Sequence, residues 1–281
     1  MTTMAASRTR TPVGVHLALG AGAFVMVAPF LWMLLTSTKT LQQILQDPLS
    51  LIPHPFTLQN YVDALQAVSF PRAYVNSLYI GAIVVAGTLL TATMAAYAFA
   101  RIDFRASKLL FGVVLATQML PMQVTIVPLY LVLAKLGWVD SHLALIVPAA
   151  LSNPFAIFLM RQFIRTLPVE LEEAARIDGA GRWRIFFSVV LPNLKPGLAA
   201  LGIITALSVW NSFFLPLVVL NSPDLFTVPL LLSQFVGQFG GINYAMVMAA
   251  STISIVPMLL VFLVAHKRIL NSMAMSGLGG T

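Results

Sequence analysis

The sequence predicts an all-α integral membrane protein with six transmembrane helices. Three observations carry this. The chain is 59% hydrophobic and 9% charged, with a mean hydropathy of +0.90, whereas soluble domains are about 45–50% apolar and about 25% charged. Its apolar residues gather into six segments near the roughly 20 residues that a bilayer span requires. Its basic residues alternate between the connecting segments. The 281 residues leave no stretch long enough for a separate soluble domain. The net charge of +7 is therefore read through its distribution across a membrane and not as a nucleic-acid signal. Having no cysteine, the chain has no disulfides, thiolate metal sites or cysteine nucleophiles.

The first segment is Val13–Leu35. Arg8 and Arg10 precede it as in a secretory signal, but its 23 residues exceed an h-region of roughly 7–15, so it is read as a retained span behind a tail of residues 1–12. The segment after it, to about Ala73, holds DPLSLIPHPFTLQNYVDAL, proline-rich and then amphipathic. The further spans are Tyr74–Ala100, Leu109–Ala134, Leu143–Met160, Gly197–Leu220 and Tyr244–Ala265, giving a membrane domain over 13–265 and a tail over 266–281. Each must be helical, because a lipid-exposed backbone has no other partners. Pro121, Pro128, Pro148, Pro154, Pro216 and Pro257 predict kinks. Between Asn221 and Asn243 the stretch LFTVPLLLSQFVGQFGG is apolar but short and reads as a re-entrant or interfacial loop. Its Gly237 and Gly241 read as loop glycines.

Of the basic residues, 13 fall in the N-terminal tail, the segments after spans two and four, and the C-terminal tail, against Lys39, Arg72 and Lys135 on the other side. The positive-inside rule then puts both termini and the 161–196 loop in the cytoplasm.

All nine acidic residues lie outside the six spans, which argues against an ion-coupled carboxylate mechanism. No GxxxxGK[ST] loop occurs, so the chain has no phosphate cradle of that kind. The C-terminal SGLGGT lacks the strand and helix of a dinucleotide site. No base or ligand cluster for a membrane hydrolase is present. The interior instead holds neutral polar groups. Gln118 and Gln123 flank Pro121, Ser152 and Asn153 precede Pro154, Ser208, Trp210, Asn211 and Ser212 cluster in the fifth span, and Ser251, Thr252 and Ser254 lie in the sixth. Two readings stand. These groups fix helix packing by hydrogen bonds, or they line a path for a neutral polar solute, with Trp210, Asn211, Phe213 and Phe214 suited to sugar hydroxyls and apolar sugar faces.

The 161–196 loop stands apart, because Glu170 to Arg184 alone carries seven charges. Pro168 suits a first helical position. Glu170, Glu172 and Glu173 favour a helix N-terminus. Leu171, Ala174 and Ala175 form a small apolar face. Asp178–Gly179 reads as the helix end, with Gly179 in the left-handed conformation and Gly181 adding freedom. Ile185, Phe186, Val189 and Val190 form a second apolar face, stopped by Pro192. Such a hairpin packs on its own bundle or offers its small face to another surface.

Glu173-Ala174-Ala175, three residues, Gly179, nine residues, Val189, one more and Leu191-Pro192 resemble the EAA loop of bacterial ABC-importer permeases, with Val189 where the family usually has Ile. NSLYIGAIVVAGTLLTATMAAYAFAR, LPMQVTIVPLYLVLAKLGWVDS, FLMRQFIRTLPVELEEAARIDGA and VWNSFFLPLVVL extend the resemblance over most of the chain, to carbohydrate-uptake permeases like the smaller subunit of maltose-type importers. The resemblance implies a type I ABC importer permease fold in a bacterial plasma membrane and no enzymatic activity of its own. It implies a second, homologous permease as partner, two ATP-binding cassette ATPases that hold the ATP and Mg, and an extracytoplasmic solute-binding protein or lipoprotein. It implies alternating access driven through the loop, with a sugar-like substrate, membrane lipids around the spans and no nucleic acid. By position, Glu173, Ala174, Ala175 and Gly179 are docking and turn residues, and Arg176, Asp178 and Arg182 polar contacts at the ATPase. The tail LNSMAMSGLGGT departs from the family in lacking a late Lys. Disaccharides, amino sugars and glycerol phosphodiesters all fit the class. The alternatives are a stand-alone secondary transporter or channel for a neutral polar solute, and a non-transporting membrane scaffold.

Overall fold

The computed structural model describes residues 13–66, 70–235 and 243–277, with side chains to 263. The described residues form helices and connecting turns. The element order opens with α1 (Val13–Ser37), α2 (Leu41–Gln46), α3 (Gln59–Gln66), α4 (Phe70–Arg101), α5 (Ser107–Thr117) and α6 (Met122–Lys135). It continues with α7 (Leu143–Leu151), α8 (Pro154–Thr166), α9 (Glu170–Ile177), α10 (Arg182–Ile185), a π turn (Phe186–Val190) and α11 (Leu191–Asn193). The last are α12 (Lys195–Trp210), α13 (Phe214–Val219), a 3-10 turn (Pro223–Leu225), α14 (Val228–Phe235) and α15 (Tyr244–Gly277). Among the described residues, four helical stretches are long and apolar enough to cross a membrane: Val13–Ser37, Phe70–Arg101, Leu143–Thr166 and Tyr244–Leu263. The number reaches six if each of two bent pairs counts as one span.

The third segment differs from the expected kinked span. It breaks between Thr117 and Met122 into α5 and α6, which meet at 104°. Pro121 removes a helical N–H and disfavours helix at Leu120, and Met119, Leu120 and Pro121 stay exposed. The fifth ends at Trp210 and resumes at Phe214, so Pro216 sits in a first turn, where its missing N–H costs nothing. Pro128, Pro148 and Pro257 lie inside continuous helices.

The chain divides into two compact units. The first comprises residues up to Gln66 together with Phe235–Ile253. There Asn60 is buried and donates from Nδ2 to the Ser37 and Lys39 carbonyls, both at 2.8 Å. The buried Lys39 ammonium donates to the Ser50 carbonyl and lies 5.0 Å from the Trp32 ring centroid. These bonds hold the turns between α1 and α3.

The second unit, Ala67–Gln234 with the chain from Ser254 on, is built around α4. Ile80, Val84, Thr88, Ala92 and Ala96 form a buried row at every fourth residue, the ridge along which helices interdigitate. α4 packs there against α7, α8 and α12. Gly87 lets α7 come close, since a Cβ on it would stand 2.7 Å from the Ala150 Cβ. Pro154 has no N–H for the Ala150 carbonyl, four residues earlier, and α7 ends one residue beyond that carbonyl. α4 supplies the missing donors. Thr91 Oγ1 donates to Ala150 O at 2.5 Å and Thr88 Oγ1 to Ala149 O at 3.1 Å. Bilayer interiors require such satisfaction of freed carbonyls.

Candidate functional sites: the charged loop and a hydroxyl-lined cavity

The charged loop folds as two short helices around a tight turn. α9 begins at Glu170, so Pro168 lies just outside it, before the N-cap Val169. Its three glutamates occupy the first turn and Arg176 the last, matching the helix dipole at both ends. Gly179 takes φ +80°. Its N–H donates to Arg176 O at 3.1 Å, and that of Ala180 to Ala175 O at 2.9 Å, the two bonds of a Schellman end. The chain then enters α10, and Leu191 N–H donates to Phe186 O across the π turn, one residue before Pro192.

One face of this loop belongs to the bundle. Ile185, Phe186 and Val190 are buried in a cluster with Ala92, Ala96 and Tyr97 of α4, Met160 and Ile164 of α8, and Leu194 and Leu201. The opposite face is open. Ile177 is 86% exposed and Trp183 66%, and Trp183 stacks on the half-exposed Phe187 with ring centroids 6.2 Å apart. The reading of a hairpin packed on its own bundle thus holds for one face, and the other face stays uncovered. The expected small face is redistributed. Leu171, Ala174, Glu173, Arg176, Asp178, Gly179 and Arg182 are exposed, while Ala175 packs partly inward beside a buried Glu172.

Glu172 is 4% exposed. Its Oε1 accepts from Arg101 Nε at 2.7 Å and its Oε2 from Tyr97 OH at 3.0 Å. Arg101 Nη2 also donates to the carbonyls of Ile164 at 2.9 Å and Leu167 at 2.6 Å. Arg161 of α8 returns the arrangement, donating from Nε to Phe99 O at 3.1 Å with its guanidinium 4.2 Å from the Phe111 ring centroid. Each of these two arginines caps the carboxyl end of the other's helix. The sequence marked Arg101 only as a topology charge and Glu172 only as a helix-dipole residue. Their pairing joins positions 71 apart, which helix periodicity does not reach.

At the other end of α4 lies a cavity of about 320 Å³. Ser77, Ser152, Ser208, Ser212 and Thr227 line it among Ile80, Met122, Leu129, Leu145 and Pro216, with no ionisable group. The Thr227 hydroxyl is buried and has no hydrogen-bond partner among the described residues. Ser77 Oγ accepts from Val228 N–H at 2.9 Å. The 221–228 segment is stitched beside this cavity. Asn76 Nδ2 donates to the Asp224 and Phe226 carbonyls, and His142 contacts Tyr79 OH and Leu225 O. Asp140, at φ +57°, accepts from the Asn221 and Ser222 amides and from Ser222 Oγ. Those bonds, the Ser222 hydroxyl first, hold its carboxyl below the ordinary carboxylate range.

Of the residues named from sequence, Gln118, Gln123, Asn153, Trp210, Asn211, Phe213 and Phe214 do not line this cavity. Trp210 is buried, donating from Nε1 to Ser254 O at 3.2 Å, edge-on to Tyr74 at 5.7 Å. Asn153 caps α8, its Oδ1 accepting from Ala156 N–H at 3.0 Å. Asn211 Nδ2 donates to Leu207 O within its own helix end at 2.8 Å. Gln118, Gln123, Phe213 and Phe214 are exposed. Ser152, Ser208 and Ser212, named in sequence as their neighbours, are the residues that reach the cavity, joined by Ser77 and Thr227 from outside the expected set. Gly237 and Gly241 lie outside the described residues.

A bundle of membrane-length helices with a neutral cavity at one end of α4 and a charged, half-buried loop at the other suits a membrane transport subunit. The chain belongs to the family of binding-protein-dependent transport system inner membrane components, which it matches over residues 74–273, and is thereby a multi-pass inner-membrane protein. It is 35% identical over 261 residues to the arabinooligosaccharides transport system permease protein AraQ of Halalkalibacterium halodurans, covering 92% of this chain and 93% of that one. It is 34% identical over 261 residues to the diacetylchitobiose uptake system permease protein NgcG of Streptomyces coelicolor, covering 92% and 86%. The fold superposes on a chain from the crystal structure of a bacterial ABC transporter involved in alginate import, with a TM-score of 0.81 at 24% identity, covering 94% of this chain and 99% of that one.

Proposed function

We propose that this chain is one permease half of an ATP-driven importer for a neutral, sugar-like solute. The observation that carries the proposal is family membership joined to a loop whose outer face leaves Ile177 and Trp183 uncovered. Exposed apolar side chains set among charged residues mark a surface that a partner covers. In this reading the bent pairs complete six spans, both termini and the loop are cytoplasmic, and a second permease completes the pathway. ATPase subunits bind ATP and Mg and receive α9 and the Gly179 turn, with Glu173, Ala174, Ala175, Arg176, Asp178 and Arg182 around it. An extracytoplasmic binding protein delivers the solute. The cavity's hydroxyls and lack of charge suit an uncharged polyhydroxylated solute, in keeping with the oligosaccharide names of the two relatives.

Co-expression with the neighbouring transport genes tests this. The expected result is a complex with a second permease and an ATPase, and uptake into proteoliposomes that requires ATP. Solute movement through the chain alone, without ATP, would overturn it. Ser208→Phe, which fills the cavity far from the loop, should lower uptake at least tenfold while the ATPase still co-purifies. Unchanged uptake would remove the cavity from the pathway.

A further inference from the structure

We propose that Arg101 and Glu172 are positioning residues that make α9 move as one body with α4 and α8. The inference rests on the docking role given to α9 above. Without this link, α9 would be held only by the short 167–169 connection, the Gly179 turn and the partly buried Ala175, and part of a force applied to its exposed face would be absorbed there.

The geometry supplies the link. The Arg101 guanidinium closes three elements at one point. Nε binds the α9 carboxylate, Nη2 binds the last carbonyls of α8, and the side chain itself rises from the last residue of α4. Tyr97, one turn earlier on α4, takes the second carboxylate oxygen. The Glu172 and Arg101 side chains are only 5% and 12% exposed, so water competes little for either. A buried carboxylate that loses its paired cation is left poorly compensated, which makes partial release unfavourable and the three elements a single rigid unit. Lysine could not replace this arginine, since a point ammonium lacks the planar fork that reaches a carboxylate and two carbonyls together. Nor could the pair be reversed. A glutamate at position 101 would face the Ile164 and Leu167 carbonyls with no donor. By contrast, Arg72–Asp224, the other ion pair among the described residues, is over 60% exposed on both sides and holds nothing with comparable force.

The chain has no native cysteine, so two introduced ones suffice for a distance measurement. Glu170→Cys on α9 and Lys108→Cys on α5, both exposed, take spin labels in the purified full chain. α5 is a fixed reference through Phe111 under Arg161. The expected result is one narrow distance distribution, at least doubled in width by Glu172→Gln and by Arg101→Lys, and not restored by Arg101→Glu with Glu172→Arg. In the assembled complex the two single variants should keep the ATPase bound but lower solute carried per ATP about tenfold. Distributions unchanged in the single variants, or restored by the reversed pair, would overturn the inference. If no ATPase co-purifies with the unsubstituted chain, the proposed function fails instead, and the distance measurement still decides the rigid link.

Discussion

Replacing Gly179 isolates one physical variable. Nothing lies within 4 Å of a Cβ built there, so a larger side chain meets no neighbour, and only the backbone at φ +80° resists it. A left-handed L-residue costs about 1–2 kcal/mol, with β-branched residues at the upper end. Releasing the turn instead forfeits two hydrogen bonds of 3.1 and 2.9 Å, each about 0.5–1.5 kcal/mol net. The two costs are similar, so Gly179→Val turns one conformation into a mixture. A shift of about 1.4–2 kcal/mol lowers the native turn's weight roughly 10- to 30-fold. Asn tolerates the left-handed region, so Gly179→Asn should cost less than about threefold, with Gly179→Ala between. The assay is solute-stimulated ATP hydrolysis and uptake per purified complex, with membrane insertion as control. Wild-type uptake by Gly179→Val, or Asn as impaired as Val, would refute the reasoning.

Other outcomes follow from the packing of α4. Thr88→Val and Thr91→Val together leave the Ala149 and Ala150 carbonyls without those donors, at about 0.6 kcal/mol and up to about 1.7 for each membrane hydrogen bond. Thermal inactivation in detergent should come earlier, and equal stability would count against the capping. Gly87→Val meets the Ala150 Cβ and should cost about 1–3 kcal/mol through overpacking, whereas Gly81→Val on the same helix, with nothing within 4 Å, should purify as wild type. Equal yields would refute the close approach. Because the Asp140 carboxyl titrates below its unfolded value, its hold on Asn221 and Ser222 is fully present above about pH 4 and is lost as pH falls through the depressed value. Amide exchange at Asn221 and Ser222, corrected for intrinsic rates, should be flat between pH 5 and 8, and a marked change in that window would show that another group controls the contact.

Sequence periodicity located α4, the α9 turn and the buried face of Ile185, Phe186 and Val190, because each depends on neighbours within a few residues. Gly179 was legible for the same reason, since its left-handed φ is a local demand. Hydropathy could not separate the α5–α6 break from a kink, because Met119 and Leu120 read as apolar whether they lie in a span or a bend. Nor could it say which polar groups share a space. Trp210 and Asn153 spend their polar atoms on Ser254 O and Ala156 N–H, while Ser77 and Thr227, 150 positions apart, meet at one cavity. Glu172 looked like any first-turn glutamate. The approach of Arg101 and Tyr97 distinguishes it from Glu170 and Glu173.

The buried row on α4 tapers. Its side chains shrink from Ile80 and Val84 through Thr88 to Ala92 and Ala96, so the residues toward the arginine end ask less room of the neighbouring helices. Ser77 lies 15 residues from Ala92, about 22 Å along the axis at 1.5 Å per residue. A tilt of about 10° hinged at Ala92 would sweep Ser77 through about 4 Å while the narrow end scarcely shifts. A helix graded in this way would act as a pantograph, in which a small stroke at Ala92 is redrawn larger at Ser77.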